Sequence, residues 1–341
     1  MALIAFDKFD KYASGATGWT DLASDNGYTT SASGPNIDAG IGRFGDAALN
    51  IDSTAYYAIP WSAKTGSTTV IVGMSFIHSS PTVSTAKTLL SASATATGSG
   101  LHFEIAWIGG QLFVYNATGG IVGSAMCPIN VWHTLEVKCT MANSGSITVR
   151  LDGIDVCTAV SGDFLHTTTA LGFIQILRGA LSPTYVDWVY LCDSTGSTLN
   201  DFLGDFRVES VIPDADGGTA AWTPLSGANY TNIDDALQSY DDDTSYISSS
   251  TVDQDNLASH AAVTLSGLNS VKFVDLAALT RDDGTNDVAL LMVNGANTLV
   301  SGTFTTGTAY NWRIFASTTA PDTTAWSVSN INASEFGVRC K

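Results

Sequence analysis

Apolar residues in this chain recur at every second position, and that period governs what it can fold into. Leu135, Val137 and Cys139 alternate with Thr134, Glu136 and Lys138. Ile147, Val149 and Leu151 alternate with Ser146, Thr148 and Arg150, and Phe103, Ile105 and Trp107 with His102, Glu104 and Ala106. A strand points successive side chains to opposite faces, so each run reads as a strand with one buried and one wet face. The run Val70 to Ile77 is nearly all apolar and predicts a central strand covered on both sides. Asp152-Gly153, set between Leu151 and Ile154, predicts a two-residue hairpin. Composition closes off the helical alternative. Only Glu104, Glu136, Glu209 and Glu335 are glutamates, so 28 of the 32 acidic residues are Asp. Asp, with 32 Gly, favours turns, whereas Glu and Lys favour helices. No amphipathic pattern of ten or more residues occurs, and only Asn232 to Tyr240 suggests a turn of helix. The chain is expected to be all-β.

The 341 residues carry 14 Lys and Arg against 32 Asp and Glu, a formal net charge of −18. This excess reflects missing bases, since only 13% of residues are charged. Such a balance argues against nucleic acid as a partner, and 45% hydrophobic residues argue against disorder. No apolar stretch reaches the ~18 residues of a membrane-spanning helix, so no membrane insertion is expected. The segment Met1 to Asp10 lacks a basic region followed by a long apolar run. It reads as a first strand and not as a secretory signal. Cys127, Cys139, Cys157, Cys192 and Cys340 are odd in number and widely spaced, with no CxxC pair. Cys139 and Cys157 lie within apolar strand patterns, where a thiol packs as a small hydrophobe. Synthesis in a reducing cytoplasm is the expectation.

Composition shifts near residue 195. Residues 1–195 carry 14 acids and 8 bases, whereas residues 196–341 carry 18 acids and 6 bases. The polar segment Asp193 to Asn200 lies at the change. New strand patterns follow at Val271 to Leu276, Asp287 to Val293 and Tyr310 to Ala316. Many short strands with turn-punctuated spacing predict a β-sandwich in each half. The expected organisation is a sandwich over 1–195, a linker over 196–206 and a second, smaller sandwich over 207–341.

Four segments of the first half, in order, carry a family likeness. They are Gly42-Arg-Phe-Gly-Asp-Ala-Ala-Leu-Asn-Ile51, Val131-Trp-His-Thr-Leu-Glu-Val-Lys138, Val149-Arg-Leu-Asp-Gly-Ile154 and Tyr185-Val-Asp-Trp-Val-Tyr190. Together they resemble the concanavalin A-like lectin/glucanase jelly roll, also called laminin-G-like. The second half resembles a module that follows such a sandwich in structural proteins of tailed bacteriophages. Phe202 to Val208, Ala221 to Tyr230, Asp241 to Tyr246 and Asn332 to Val338 carry that likeness. The resemblance implies a virion component that joins other virion proteins and copies of itself, as a homo-oligomer such as the trimer of many fibre proteins. It implies a tail fibre, spike or tip protein contacting a host-surface glycan, with a capsid decoration or head fibre, or a free carbohydrate-binding module, as alternatives.

Retaining glycosidases of that fold place two carboxylates about 5–5.5 Å apart across the scissile bond. The Glu-x-Asp-x-x-Glu strand that does so is absent, and Glu104 and Glu136 stand on separate strands. The chain is therefore expected not to be an enzyme, and no catalytic residue is assigned. His78, His102, His133, His166 and His260 lack zinc-site spacing and read as structural. The resemblance implies a loop Ca²⁺, for which Asp241, Asp242 and Asp243, and Asp282 with Asp283, are the candidates; acid runs more often serve as solvated turns. No other cofactor is expected. Tyr56, Tyr57 and Trp61 around Pro60, with Trp19 near a Gly-rich turn, are candidate sugar platforms, though large aromatics more often fill a core.

Overall fold

The computed structural model describes residues 3–12, 15, 29–30, 36–51, 56–61, 67–79, 86–166, 171–178, 184–236, 239–264, 270–282 and 286–341. It divides into two compact units, Met1–Arg207 and Val208–Lys341. The first unit opens with β1 (Leu3–Asp7), β2 (Thr29–Thr30), β3 (Asn36–Asp38), β4 (Ala48–Ile51), β5 (Tyr57–Pro60), β6 (Thr69–His78), β7 (Lys87–Ser93) and β8 (Leu101–Ile108). It continues with β9 (Gln111–Asn116), β10 (Ile121–Met126), β11 (His133–Thr140), β12 (Gly145–Leu151), β13 (Ile154–Gly162), β14 (Phe173–Arg178) and β15 (Thr184–Asp193). Eight strands form one sheet in the order β13-β12-β11-β6-β15-β4-β3, with β1 also pairing β15. Seven form the other, in the order β10-β9-β8-β7-β14-β5-β2. This is a jelly-roll sandwich of two antiparallel sheets, and the chain as a whole is all-β.

The period-2 pattern becomes the two inner faces. Val70, Val72, Met74 and Phe76 of β6 meet the partners Cys139, Val137, Leu135 and His133 of β11 in register. Across the core, Phe103, Ile105 and Trp107 of β8 stand beside Leu112 and Val114 of β9, and all are fully buried. The two sheets touch where the His78 ring meets Trp107 edge-on, with centroids 4.2 Å apart. Asp152 and Gly153 both take positive φ, 53° and 74°, which the tight β12–β13 hairpin requires.

As its sequence predicts, β6 is covered on both sides, and its outer cover comes from residues 199–206. The expectation of a linker there is corrected. Leu199, Phe202 and Phe206 pack against a buried cluster of Ile71, Trp188, Tyr190, Cys192 and Leu203. Phe206 stacks on Trp188 at 4.3 Å. Beneath this strap lies Glu136, only 1% exposed. Its carboxylate accepts from the Tyr190 hydroxyl at 2.5 Å and from the Gly204 amide at 2.8 Å. Arg43 clamps the strap through Asp205, at 2.5 and 2.8 Å. Linkers are polar in composition, but here four apolar side chains, Leu199, Phe202, Leu203 and Phe206, dry the outer face of β6 and β15.

The second unit contains β16 (Pro213–Ala220), β17 (Thr223–Pro224), β18 (Ile247–Ser248), β19 (Asp255–His260), β20 (Val274–Thr280), β21 (Val288–Asn294), β22 (Asn297–Val300), β23 (Asn311–Ser317) and β24 (Ser334–Cys340). A five-stranded sheet runs β16-β19-β24-β21-β22, and β20 pairs β23 as a ribbon. Val274, Leu276 and Phe315 of the ribbon pack with Met292 and Phe336 of the sheet around Trp326. That contact makes a second, smaller sandwich. The helical turn expected over Asn232 to Tyr240 is displaced: a 3₁₀ turn covers Tyr230–Asn232. Trp326 begins the approach to a short helix, Val328–Asn332, whose N-cap Ser327 accepts from the Asn330 amide.

Gly73 shows how tightly the outer layer is built. A Cβ there would lie 2.2 Å from Tyr190 Cε1, and that ring is itself buried. Gly73→Ala is expected to destabilise the first unit by about 1–3 kcal/mol. Urea denaturation followed by tryptophan fluorescence, in which Trp188 reports on this layer, measures it.

Candidate functional site

The structure separates the residues that sequence reading singled out. Tyr57 is 0% exposed and Trp61 1% exposed. Tyr57 belongs to β5, on the inner side, and the Trp61 indole donates to the Ser67 carbonyl at 3.1 Å. Neither can present a ring to a sugar, so both are corrected from platform to core. Tyr56 is half-buried just ahead of β5, and Trp19 lies outside the described residues. Asp243 does not stand ready for a cation, because Arg281 pairs with it at 2.6 Å and the Tyr310 hydroxyl donates to it at 3.0 Å. Asp241 accepts from the Ser245 amide and hydroxyl, closing a turn. Asp242 is exposed in that turn with φ 53°. The Asp282 amide donates to the Gly307 carbonyl, and Asp283 lies outside the described residues. Among the described residues no group of three His, Cys, Asp or Glu converges as metal ligands do.

Two histidines sit at one end of the first core in opposite states. Among the described residues neither ring nitrogen of His78 has a hydrogen-bond partner. Burial, with the nearby His133 charge, pushes its pKa down to about 4. His133 is buried too, which alone would lower it. Its hydrogen bonds to Asp152 Oδ2 (2.7 Å), to Cys127 and to the Pro128 carbonyl (2.9 Å) outweigh that and carry it up to about 10. Asp152 also accepts from the Thr134 amide at 2.8 Å. The imidazolium thus ties β11 to the Asp152-Gly153 hairpin.

Glu104 and Glu136 stand on different sheets, and Glu136 lies under the strap. The outer face of the seven-stranded sheet remains as the place where polar chemistry gathers. In register, Gln175 pairs with Ser91, Ser91 with Glu104, and Glu104 with Tyr115. The next row runs Thr88, Ala106, Phe113 and Ser124. These positions alternate with the buried Ile174, Leu90, Ile105 and Val114, so they share the face turned from the core. The face has a roofed half and an open half. Gln175 and Ser91 are fully buried and bonded to each other at 3.2 Å, and Gln175 also donates to the Ala96 carbonyl of the loop 94–100. Glu104, Thr88, Phe113 and Tyr115 are only half-buried, and the Thr88 hydroxyl donates to Glu104. Phe113 and Tyr115 have ring centroids 6.4 Å apart. The open half therefore offers a carboxylate, a hydroxyl and two neighbouring aromatic rings on a rigid sheet. Sequence reading missed Phe113 and Tyr115 because Gln111 to Asn116 has aromatics on one phase and aliphatics on the other, which hides the alternation.

No protein-family model matches the chain, and no curated protein does. Among solved structures it is similar to a cellulose-induced protein, with 13% identity, a TM-score of 0.40, and 56% of this chain covering 97% of that one. It is similar to an endo-β-1,4-glucuronan lyase from the fungus Trichoderma reesei, with 14% identity, a TM-score of 0.38, and coverage of 53% and 93%. An alginate lyase gives 15% identity, a TM-score of 0.40, and coverage of 55% and 96%. The matched folds are β-sandwich jelly rolls. Two of these three are named as lyases, and they stand against the expectation that the chain is not an enzyme. The physical reason is that the missing Glu-x-Asp-x-x-Glu strand speaks to one hydrolytic mechanism alone.

The histidine pair sets a pH profile for the first unit. With ordinary unfolded values near 6.5, His133 contributes fully below that pH, and its contribution is lost as pH rises toward 10. His78, held neutral, withdraws stability as pH falls from 6.5 toward 4. Asp152, held below the usual carboxylate value, contributes above it and loses that contribution in acid. Asp187, which burial raises to about 7, opposes His78 below neutrality, because its contribution falls as pH rises toward 7. Thermal melts are therefore expected to show the alkaline limb above pH 6.5, which Asp152→Asn flattens, and His78→Phe is expected to raise stability relative to the parent between pH 4 and 6.5.

Proposed function

We propose that the chain recognises carbohydrate, and that the open half of the seven-stranded sheet's outer face is where a glycan lies. The observation that carries this reading is the convergence of Glu104, Thr88, Phe113 and Tyr115 on one face. Aromatic rings accept the apolar C–H faces of a sugar ring, while a carboxylate and a hydroxyl accept and donate to its hydroxyl groups. All four are carried on strands, so the arrangement is set before ligand arrives, which reduces the ordering cost of binding.

We place this recognition on the particle of a tailed bacteriophage, in a tail fibre, spike or tip protein that meets a host-surface glycan. The likeness of the second half to a module that follows such a sandwich in structural proteins of tailed bacteriophages supports that setting, with capsid decoration or a head fibre as the alternative position. Self-association into a homo-oligomer belongs to the same proposal. Immunogold labelling of intact virions separates the two positions, and label confined to the capsid removes the tail placement.

Affinity electrophoresis in polysaccharide-loaded gels tests the site. Glu104→Ala and Tyr115→Ala are each expected to weaken retardation by about tenfold in apparent affinity. Retardation unchanged in both variants rules this face out.

A further inference from the structure

We propose a second carbohydrate subsite in the second unit, at one end of the β20–β23 ribbon, for a neutral saccharide. The proposal rests on the carbohydrate reading above and extends it to residues on a different unit. Tyr310 and Trp312 are two positions apart at the start of β23, on one side of the ribbon. Leu279 pairs with Trp312 and Thr280 with Asn311, which sets Arg281 beside Tyr310. The guanidinium lies 4.9 Å from the Tyr310 ring centroid.

The loop 239–244 closes on this end through two separate contacts. Tyr240 meets Trp312 edge-on, with centroids 5.9 Å apart. Asp243 pairs with Arg281 at 2.6 Å and accepts from the Tyr310 hydroxyl at 3.0 Å. Burial and that bond to Asp243 raise the Tyr310 pKa to about 12, so the phenol stays a donor at neutral pH. The loop is itself braced by the Thr244 amide on the Asp241 carbonyl at 3.1 Å and by Ser245 on the Asp241 carboxylate. From the opposite side, Val274, Leu276 and Phe315 anchor the ribbon to its own core. Three half-buried aromatic rings are thereby held beside a carboxylate and a guanidinium whose side chains remain 60% and 39% exposed.

Packing accounts for the ring contacts alone. It does not call for an ion pair fixed at their solvent edge with hydrogen-bonding capacity to spare. A sugar uses both parts: a C–H face lies against Trp312 or Tyr240, and adjacent hydroxyls meet Asp243 and Arg281 in paired bonds. Charge selects the class. Residues 208–341 hold 16 acids against 5 bases, and Asp234, Asp235, Asp241 and Asp242 lie close to this loop in sequence. Arg281 is neutralised by Asp243, so a uronate would enter a negative field beside a cation that already has its carboxylate. A neutral saccharide meets no such penalty.

The test places the full chain on an array of neutral and uronate oligosaccharides, alongside Trp312→Ala, Arg281→Ala and Tyr115→Ala. Trp312→Ala and Arg281→Ala are each expected to weaken neutral-glycan binding about tenfold. Tyr115→Ala is expected to leave a component of that binding which Trp312→Ala then removes. Circular dichroism checks the fold of each variant, and Arg281→Ala carries the test if Trp312→Ala fails to fold. In the Tyr115→Ala background, neutral binding that Arg281→Ala leaves unchanged overturns the subsite, as does a wild-type chain that retains uronates only. Complete loss in Tyr115→Ala alone overturns the subsite while upholding the sheet face. Loss in Arg281→Ala with none in Tyr115→Ala upholds the subsite and removes the sheet face.

Discussion

A carboxylate buried on the outer side of a sheet is the constraint around which the first unit is arranged. Glu136 sits where strand alternation sends a polar residue, yet water is excluded from it. Burying a charge without partners costs several kcal/mol, so its two donors are requirements of the fold. One is the Tyr190 hydroxyl from β15, and the other is the Gly204 amide from the strap. The strap must therefore lie across the sheet, and once there it covers Trp188 and Tyr190 with Phe206. The same placement covers the part of this face that lies over β6 and β15.

The acidic balance has a structural counterpart. Lys8 bridges Asp10 and Asp46, Arg43 holds Asp205, Lys138 meets Asp201 and Arg150 meets Asp155. In the second unit Arg339 pairs with Asp255 and Lys341 with Asp253. Exposed pairs of this kind contribute little to stability individually. Their effect is on the surface: bases are few, and with these six held by carboxylates the acidic excess sets the field that an approaching molecule meets. Near Asp187 the same excess reaches the interior, where burial and the neighbouring Asp46 push a carboxyl up to about 7.

The strands were legible because their signal is local. Leu135, Val137 and Cys139 carry the same alternation in sequence and in space, and the Asp152-Gly153 turn needs only its own two residues. The role of 199–206 was hidden because Leu199, Phe202, Leu203 and Phe206 follow no strand period. Their reason lies in the distant Ile71 and Trp188. Tyr57 and Trp61 were misread for a related cause: Pro60 suggested a loop, but it ends an inner strand at the sheet's edge region. The ligand face was hardest to see, since Glu104, Thr88 and Tyr115 come from three strands and only register joins them.

All five cysteines are free and buried. Burial raises the Cys192 thiol to about 12 and moves Cys139 and Cys157 upward as well. Thiols kept protonated and out of contact with solvent are poor nucleophiles. A cysteine placed by design on the surface would then react ahead of Cys139, Cys157 and Cys192, so those three native sulfurs need not be removed before fluorophores or spin labels are attached site by site.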